Sequence, residues 1–352
     1  MPLNPTAEVR IHYPLNGRRM VLRTSNDWHR DVSPTLQTRD KAIFTFWEPS
    51  EPLEFKPMLV DDHGQHWSQG RNYTLYPYWG RPFTIYPHFF EGATEGTISE
   101  QIGIPSDNPD EQLFTARIYM PPGYRENTLK RYPVLYMHDG TNLFFPDEAF
   151  LGREWQVDET MNLLNALSVI DKTIVVGIYA ANRNHDYTHP GYHRYGEGVV
   201  HHLKTHIDRN YRTLSDPIHT GVMGSSLGGV VSFYLAWQWP KVFGKVACMS
   251  STFGYRDDLY ERVRKDPKRP VRIYLDSGWP EDNFDATKRM KDLLIHHGFQ
   301  FGSDLLYFNF PLAGHHEGFW AARLHIPFQF LFGKNNDRKK PPIAPDPPGP
   351  TF

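Results

Sequence analysis

The chain has 352 residues, enough for one large domain and a smaller companion. Its 38 basic and 40 acidic side chains leave a formal net charge of -2, which argues against a polyanionic partner such as nucleic acid, and no apolar run approaches the about 20 residues of a membrane span. A single cysteine, Cys248, excludes an internal disulfide and fits a reducing compartment. The N-terminal stretch MPLNPTAEVRIHYPL carries no apolar signal core, so the expected location is the cytoplasm.

Residues 1–110 read as a small β-sandwich. Short β-rich runs such as Arg18–Arg23, Lys41–Trp47 and Leu53–Leu59 are separated by Asn, Asp, Gly and Pro clusters. The stretch Phe55–Pro77 resembles the end of an early-set or starch-binding-like sandwich, which would make this a carbohydrate-binding-like domain. Trp67, Tyr76, Tyr78 and Trp79 can stack on a sugar ring or fill the core. Glu91–Glu111 reads as a connector.

From Leu113 the pattern changes, and residues 111–333 are expected to form an α/β domain. Strands are expected at Leu113–Met120, Tyr132–His138, Lys172–Ala180, His219–Met223, Val242–Ser250, Val271–Asp276 and Asp304–Phe310. Helices are expected at Trp155–Leu167, Gly196–Arg209, Leu227–Gln238, Asp285–His297 and Trp320–Phe332. Strands alternating with helices of this length imply a mostly parallel sheet covered on both faces. The Pro-rich tail 334–352 cannot bury a core and is expected to be disordered.

The chain is organised around His219–Trp237, HTGVMGSSLGGVVSFYLAW. A short apolar run ends at Gly224-Ser225-Ser226-Leu227-Gly228, and a helix-compatible run follows. G-x-S-x-G between a strand and a helix is a nucleophile elbow, with Ser226 at the tip. Gly224 and Gly228 let neighbouring backbone pass close by. The helix N-terminus favours negative charge developing beside Ser226.

A serine hydroxyl is a poor nucleophile at neutral pH. It needs a base, and the base needs an acid to hold its tautomer. Downstream of the elbow, Asp276-Ser277-Gly278-Trp279-Pro280-Glu281-Asp282 places three carboxylates after a strand. Asp282 is preferred as the acid, with Glu281 and then Asp276 as alternatives. Further on, Gly314-His315-His316-Glu317 follows the last strand, and His315 is preferred as the base over His316. Two N–H groups should meet the developing oxyanion, one from Leu227 and one from Thr141 after the Asp139-Gly140 turn.

Together YPVLYMHDGTNLF, GSSLGG, the Asp276–Asp282 loop and GHHEGFW resemble the putative esterase family of α/β-hydrolases. That family includes enterochelin esterases, feruloyl esterases, S-formylglutathione hydrolases and mycolyltransferases. The resemblance covers about residues 110–332. It implies that the base is the histidine five positions before a tryptophan, here His315 before Trp320. It assigns the second oxyanion donor to Thr141. It also implies that Arg183, Tyr187 and Tyr192 line the acyl or alcohol pocket. Asp139, Gly140 and Trp279 are further substrate-binding candidates. An N-terminal sandwich fits the enterochelin and feruloyl types.

The reading is therefore a serine carboxylic-ester hydrolase acting on a small-molecule ester, with an aromatic or sugar-linked substrate favoured. An acyltransferase of the same fold and a non-catalytic carbohydrate-binding protein are the alternatives. His185, His189 and His193 recur every four residues, but Pro190-Gly191 breaks any helix between them, so neither a metal nor a cofactor is expected. No nucleic-acid or membrane partner is expected, and homo-oligomerisation is left open.

Overall fold

The alternation in KAIFTFW, Lys41–Trp47, turns Ala42 and Phe44 to one side of a strand, and both are buried. Opposite them on the antiparallel strand Thr6–His12 stand Ile11 and Val9. A computed structural model describes residues 6–47, 50–76, 82–92, 94–105 and 114–334. Within it, these two strands join Leu36–Gln37 and Phe83–Ile85 in one four-stranded sheet. A second, five-stranded sheet runs Asp27–Val32, Arg19–Thr24, Leu53–Asp61 and Gly64–Trp67, with Tyr73–Leu75 also paired to Leu53–Asp61. Val9, Ile11 and Phe44 from the first sheet share one core with Leu22, Phe55 and Leu59 from the second. Trp67 and Tyr76 are partly exposed, while Tyr78 and Trp79 lie outside the described residues.

The described part of the connector contains two short strands. Thr97–Ile98 and Ile102–Ile104 both pair antiparallel with Phe114–Met120. The latter strand in turn runs antiparallel to Ile174–Ile178. From there the sheet is parallel, in the order Ile174–Ile178, Val134–Met137, Thr220–Ser225, Lys245–Met249, Arg272–Trp279, Leu305–Pro311. Alternation again sorts the faces. Val134, Tyr136, Val246 and Cys248 meet the helices Leu227–Gln238, Leu259–Lys265 and Phe284–His296. Leu135, Met137, Ala247 and Met249 meet Val157–Ala166 and the C-terminal helices.

The chain reverses direction across the sheet at Val134–Met137. The next strand in sequence lies on one side of it and the elbow strand lies on the other. Crevices at the C-terminal ends of parallel strands open at such switch points. The loops beginning at His138 and at Ser226 flank this one.

Leu259–Lys265 is a helix where none was expected, and three expected elements differ in course or extent. The expected helix Gly196–Arg209 begins earlier, at Gly191, and passes through a π-helical turn at Val199–Leu203 before ending at Asn210. The last helix is split into Glu317–Arg323 and His325–Phe332. Pro327 has no N–H for the Arg323 carbonyl, which interrupts the ladder there. The strand expected to stop at Asp276 continues to Trp279, because Leu305–Pro311 pairs with it as far as Trp279 opposite Pro311. Of the expected tail, all but Lys334 lies outside the described residues.

Two neighbouring side chains, Glu126 and Asn127, fasten the N-terminal sheets to the rest. The Glu126 carboxylate accepts the N–H groups of Phe89, Phe90 and Glu91 at 2.6, 2.9 and 2.7 Å, and the Tyr13 hydroxyl at 2.8 Å. Beside it, the Asn127 amide donates to the His12 and Pro87 carbonyls at 2.9 and 2.7 Å.

Candidate active site

The elbow follows from the small residues around Ser226. Ser226 has φ 54° and ψ −123°, a left-handed conformation that costs a non-glycine residue on the order of 1–3 kcal/mol. A Cβ on Gly224 would stand 2.5 Å from the Gly228 backbone, so only glycine lets strand and helix cross that tightly. Ser226 is half-buried at the start of a helix whose other residues up to Trp237 are buried. The first amides of that helix, beginning with Leu227, have no carbonyl within the helix to bond. Leu227 itself is buried.

On the other side of the switch point, Asp139 takes φ 58° and leads into a single turn, Gly140–Asn142, that carries Thr141. A Cβ on Gly140 would lie 2.8 Å from the Gly177 carbonyl and from the Ile178 carbonyl carbon. Because backbone cannot yield as a side chain can, Gly140→Ala should cost about 1–3 kcal/mol of stability, which urea denaturation will measure. Arg183 grips Asp139 with two hydrogen bonds of 2.8 and 3.0 Å. His138 is fully buried, and burial pushes its imidazole down to about 3. The Ser232 hydroxyl is spent on the Gly228 carbonyl at 2.7 Å, so His138 must donate its Nδ1–H to Ser232 Oγ at 2.9 Å. This ties the Asp139 loop to the elbow helix.

The acid loop and the base loop meet. His315 Nδ1 donates to Asp282 Oδ1 at 2.7 Å, and the Asp282 carboxylate is fully shielded from solvent while the imidazole is one-third exposed. Asp282 Oδ2 accepts the Ser250 hydroxyl and the Gly278 N–H, the latter at 2.7 Å. The Asn283 N–H adds a fourth bond, at 2.7 Å to Oδ1. Burial alone would raise this carboxyl, but the four donors outweigh it and bring it from 3.8 down to about 2. His315 also stands edge-on to Trp320, with ring centres 5.2 Å apart.

The two alternative acids do not share this geometry. Glu281 is exposed on the rim. Asp276 sits inside the strand rather than in a loop, completely buried, where it holds Arg323 at 3.0 Å and the Tyr274 hydroxyl at 2.8 Å. His316 packs against Phe319, with ring centres 4.4 Å apart. Trp279 is about half exposed at the strand end. Tyr187 and Tyr192 need correction as pocket-lining residues. Both are 0% exposed and offer a ligand no surface. Tyr187 OH takes the Asp139 N–H at 3.3 Å, whereas Tyr192 stacks on Tyr234 at 4.0 Å and donates to Asp258.

A cleft of about 380 Å³ is lined by Thr252, Pro280, Glu281, Asp282, Asn283 and His315. The Thr252 N–H meets the Ser226 carbonyl at 3.4 Å, so the elbow backbone borders the cleft wall. A larger depression of about 600 Å³ lies at the other end of the sheet, beside Gly244, Val271 and Asp304. Those residues precede the parallel strands, away from every group above.

Sequence reasoning missed Ser250, Asn283 and Arg323. Two signals were available. Ser250 is a polar residue closing a buried strand next to the elbow strand. Arg323 is a charge on the apolar stripe formed by Trp320, Leu324 and Phe328.

A mostly parallel sheet with helices on both faces, an elbow after its central strand and a carboxylate–imidazole pair beyond its later strands define an α/β-hydrolase. Residues 110–325 match the family described as "Putative esterase", and the chain belongs to that family. It is a carboxylic ester hydrolase. Among curated proteins, Uncharacterized protein YbbA of Bacillus subtilis (strain 168) is 24% identical over 245 residues, covering 62% of this chain and 92% of its own. An Endo-1,4-beta-xylanase/feruloyl esterase of Xylanibacter ruminicola is 24% identical over 188 residues, which are 52% of this chain but 25% of that longer protein. Among solved structures, a ferulic acid esterase superposes with a TM-score of 0.58 at 18% identity, over 68% of this chain and 98% of its own. The enterobactin esterase FES from Shigella flexneri superposes with a TM-score of 0.56 at 14% identity, over 89% of this chain and 88% of its own.

Proposed function

We propose that the chain is a serine esterase working through an acyl-enzyme, with Ser226 as nucleophile, His315 as base and Asp282 as orienting acid. The observation that carries this is the 2.7 Å His315–Asp282 hydrogen bond, made beside a cleft that borders the strained Ser226 elbow. With Nδ1–H committed to Asp282, the remaining ring nitrogen, Nε2, is the one free to take the Ser226 proton. Ser226 Oγ then bonds to the ester carbonyl carbon, and the Leu227 and Thr141 amides receive the oxyanion. His315 returns the proton to the departing alkoxide, the C–O bond breaks and an alcohol leaves. Water, deprotonated by His315, attacks the acyl-enzyme and releases the acid with free Ser226.

The substrate we favour has an aromatic acyl group. Trp279 is about half exposed at the edge of the Pro280–Asn283 loop, and Leu312, three residues before His315, is 80% exposed. The Leu312 N–H meets the Trp279 carbonyl at 2.7 Å, so the two apolar surfaces adjoin beside the loop that carries His315, and we assign the acyl group to them. The two superposed esterases are named for ferulic acid and enterobactin, and the structure of the second was determined in the presence of 2,3-dihydroxy-N-benzoyl-serine. Arg183 and Asp139 would act from behind the oxyanion loop, by fixing its backbone.

A fluorophosphonate probe tests the chemistry. It should label the wild type at Ser226, confirmed by peptide mass, and an ester panel should then favour feruloyl over acetyl esters. An unlabelled protein that is inert toward every ester would end this reading.

A further inference from the structure

Ser250 follows the strand Lys245–Met249, is 0% exposed and has φ 44°. Glycine would hold that backbone without strain, so what serine adds is its hydroxyl. Two donors converge on Oγ: Trp320 Nε1 at 3.0 Å and Arg323 Nη2 at 2.8 Å. A hydroxyl has two lone pairs and one proton. With both lone pairs taken, the proton has one remaining direction, toward Asp282 Oδ2. Arg323 is fixed in its turn, because Asp276 Oδ1 holds the same nitrogen at 3.0 Å and Tyr274 fixes the other Asp276 oxygen at 2.8 Å. The guanidinium stays 3.8 Å from Asp282 Oδ2, close enough to favour its charge yet bridged to it by the hydroxyl.

We propose that Ser250 and Arg323 are positioning residues, which lock Asp282 with Oδ1 aimed at His315 through a one-way relay from the buried Asp276–Arg323 pair. The relay rests on the assignment of Asp282 and His315 as acid and base. Neither residue touches substrate. Their effect belongs to proton transfer and not to binding, so it appears in kcat. Without the hydroxyl, Oδ2 loses its side-chain donor and the carboxylate can rotate away from Nδ1. Misaiming a catalytic group by about 1 Å costs on the order of 100-fold.

The experiment compares Ser250→Gly with Ser250→Ala, using a p-nitrophenyl ester for kcat and KM and a fluorophosphonate to count competent sites. Ser250→Gly relieves the left-handed backbone and should be the more stable of the two by thermal melting. Both should nonetheless lose the same factor in kcat, about 10–100-fold, with KM unchanged. Wild-type kcat in Ser250→Gly, a loss that follows the order of stability, or a loss confined to KM would each overturn the relay. A wild type that neither labels nor turns over would instead sink the esterase assignment on which the relay rests.

Discussion

Ser226→Ala is expected to lower kcat by on the order of 10⁴–10⁶ while the protein stays folded, with KM close to wild type. On the proposed mechanism the loss is large because nucleophile, base and acid act as a unit, leaving only binding and the oxyanion amides. Stability should hardly move, since alanine meets the same backbone penalty at φ 54° that serine does. Ser226→Gly separates the two effects. It is equally dead but relieves that penalty, so its melting temperature should exceed that of the wild type. Steady-state kinetics with thermal melts on all three proteins is the measurement. Retained turnover in Ser226→Ala would remove the elbow from the mechanism.

Asp282→Asn is the second large effect, on the order of 10⁴ in kcat. The reason lies in the four donors around the carboxylate. An amide must point its NH₂ somewhere. On the Oδ2 side it meets the Gly278 N–H and the Ser250 O–H, whose directions are fixed. On the Oδ1 side it meets the Asn283 N–H and His315, and His315 can yield by changing tautomer. The imidazole then carries its proton on Nε2 and cannot accept one from Ser226. The variant also tests pH dependence. In the wild type Asp282 lies below its ordinary value, so its stabilisation is complete above about pH 3.8 and is lost as pH falls toward 2. Urea midpoints for Asp282→Asn should lack that acid-dependent component, while the wild type shows it.

The legible parts of this molecule were those written in short strings. Gly224 to Gly228, read with the apolar run before it and the helix-compatible run after it, marks a strand, a sharp turn and a helix within His219–Trp237. The Asp139-Gly140 turn and the His315–Trp320 spacing are local in the same way. What failed to show were decisions made by distant partners. Asp276 looked like a loop carboxylate because nothing nearby says that Leu305–Pro311 will keep the strand paired through Trp279. Tyr187 and Tyr192 lie in a stretch rich in aromatic residues, which reads equally as pocket wall or as packing until burial decides. Ser250 and Arg323 are 73 positions apart, and their hydrogen bond exists only once the last helix lies across the sheet. The connector between the two halves hid its short strands for a related reason: they gain their ladder from Phe114–Met120.

The Glu126 carboxylate that gathers three successive main-chain amides and a tyrosine hydroxyl makes the N-terminal sheets thermodynamic passengers of the hydrolase body. Neither half can loosen without stranding a half-buried carboxylate, so calorimetry should record one cooperative melt. Glu126→Ala, which unclips the amides, should split that melt into an early event for the sandwich and a later one for the body. Heat resistance of the N-terminal sheets is thereby set partly by a residue that lies outside them.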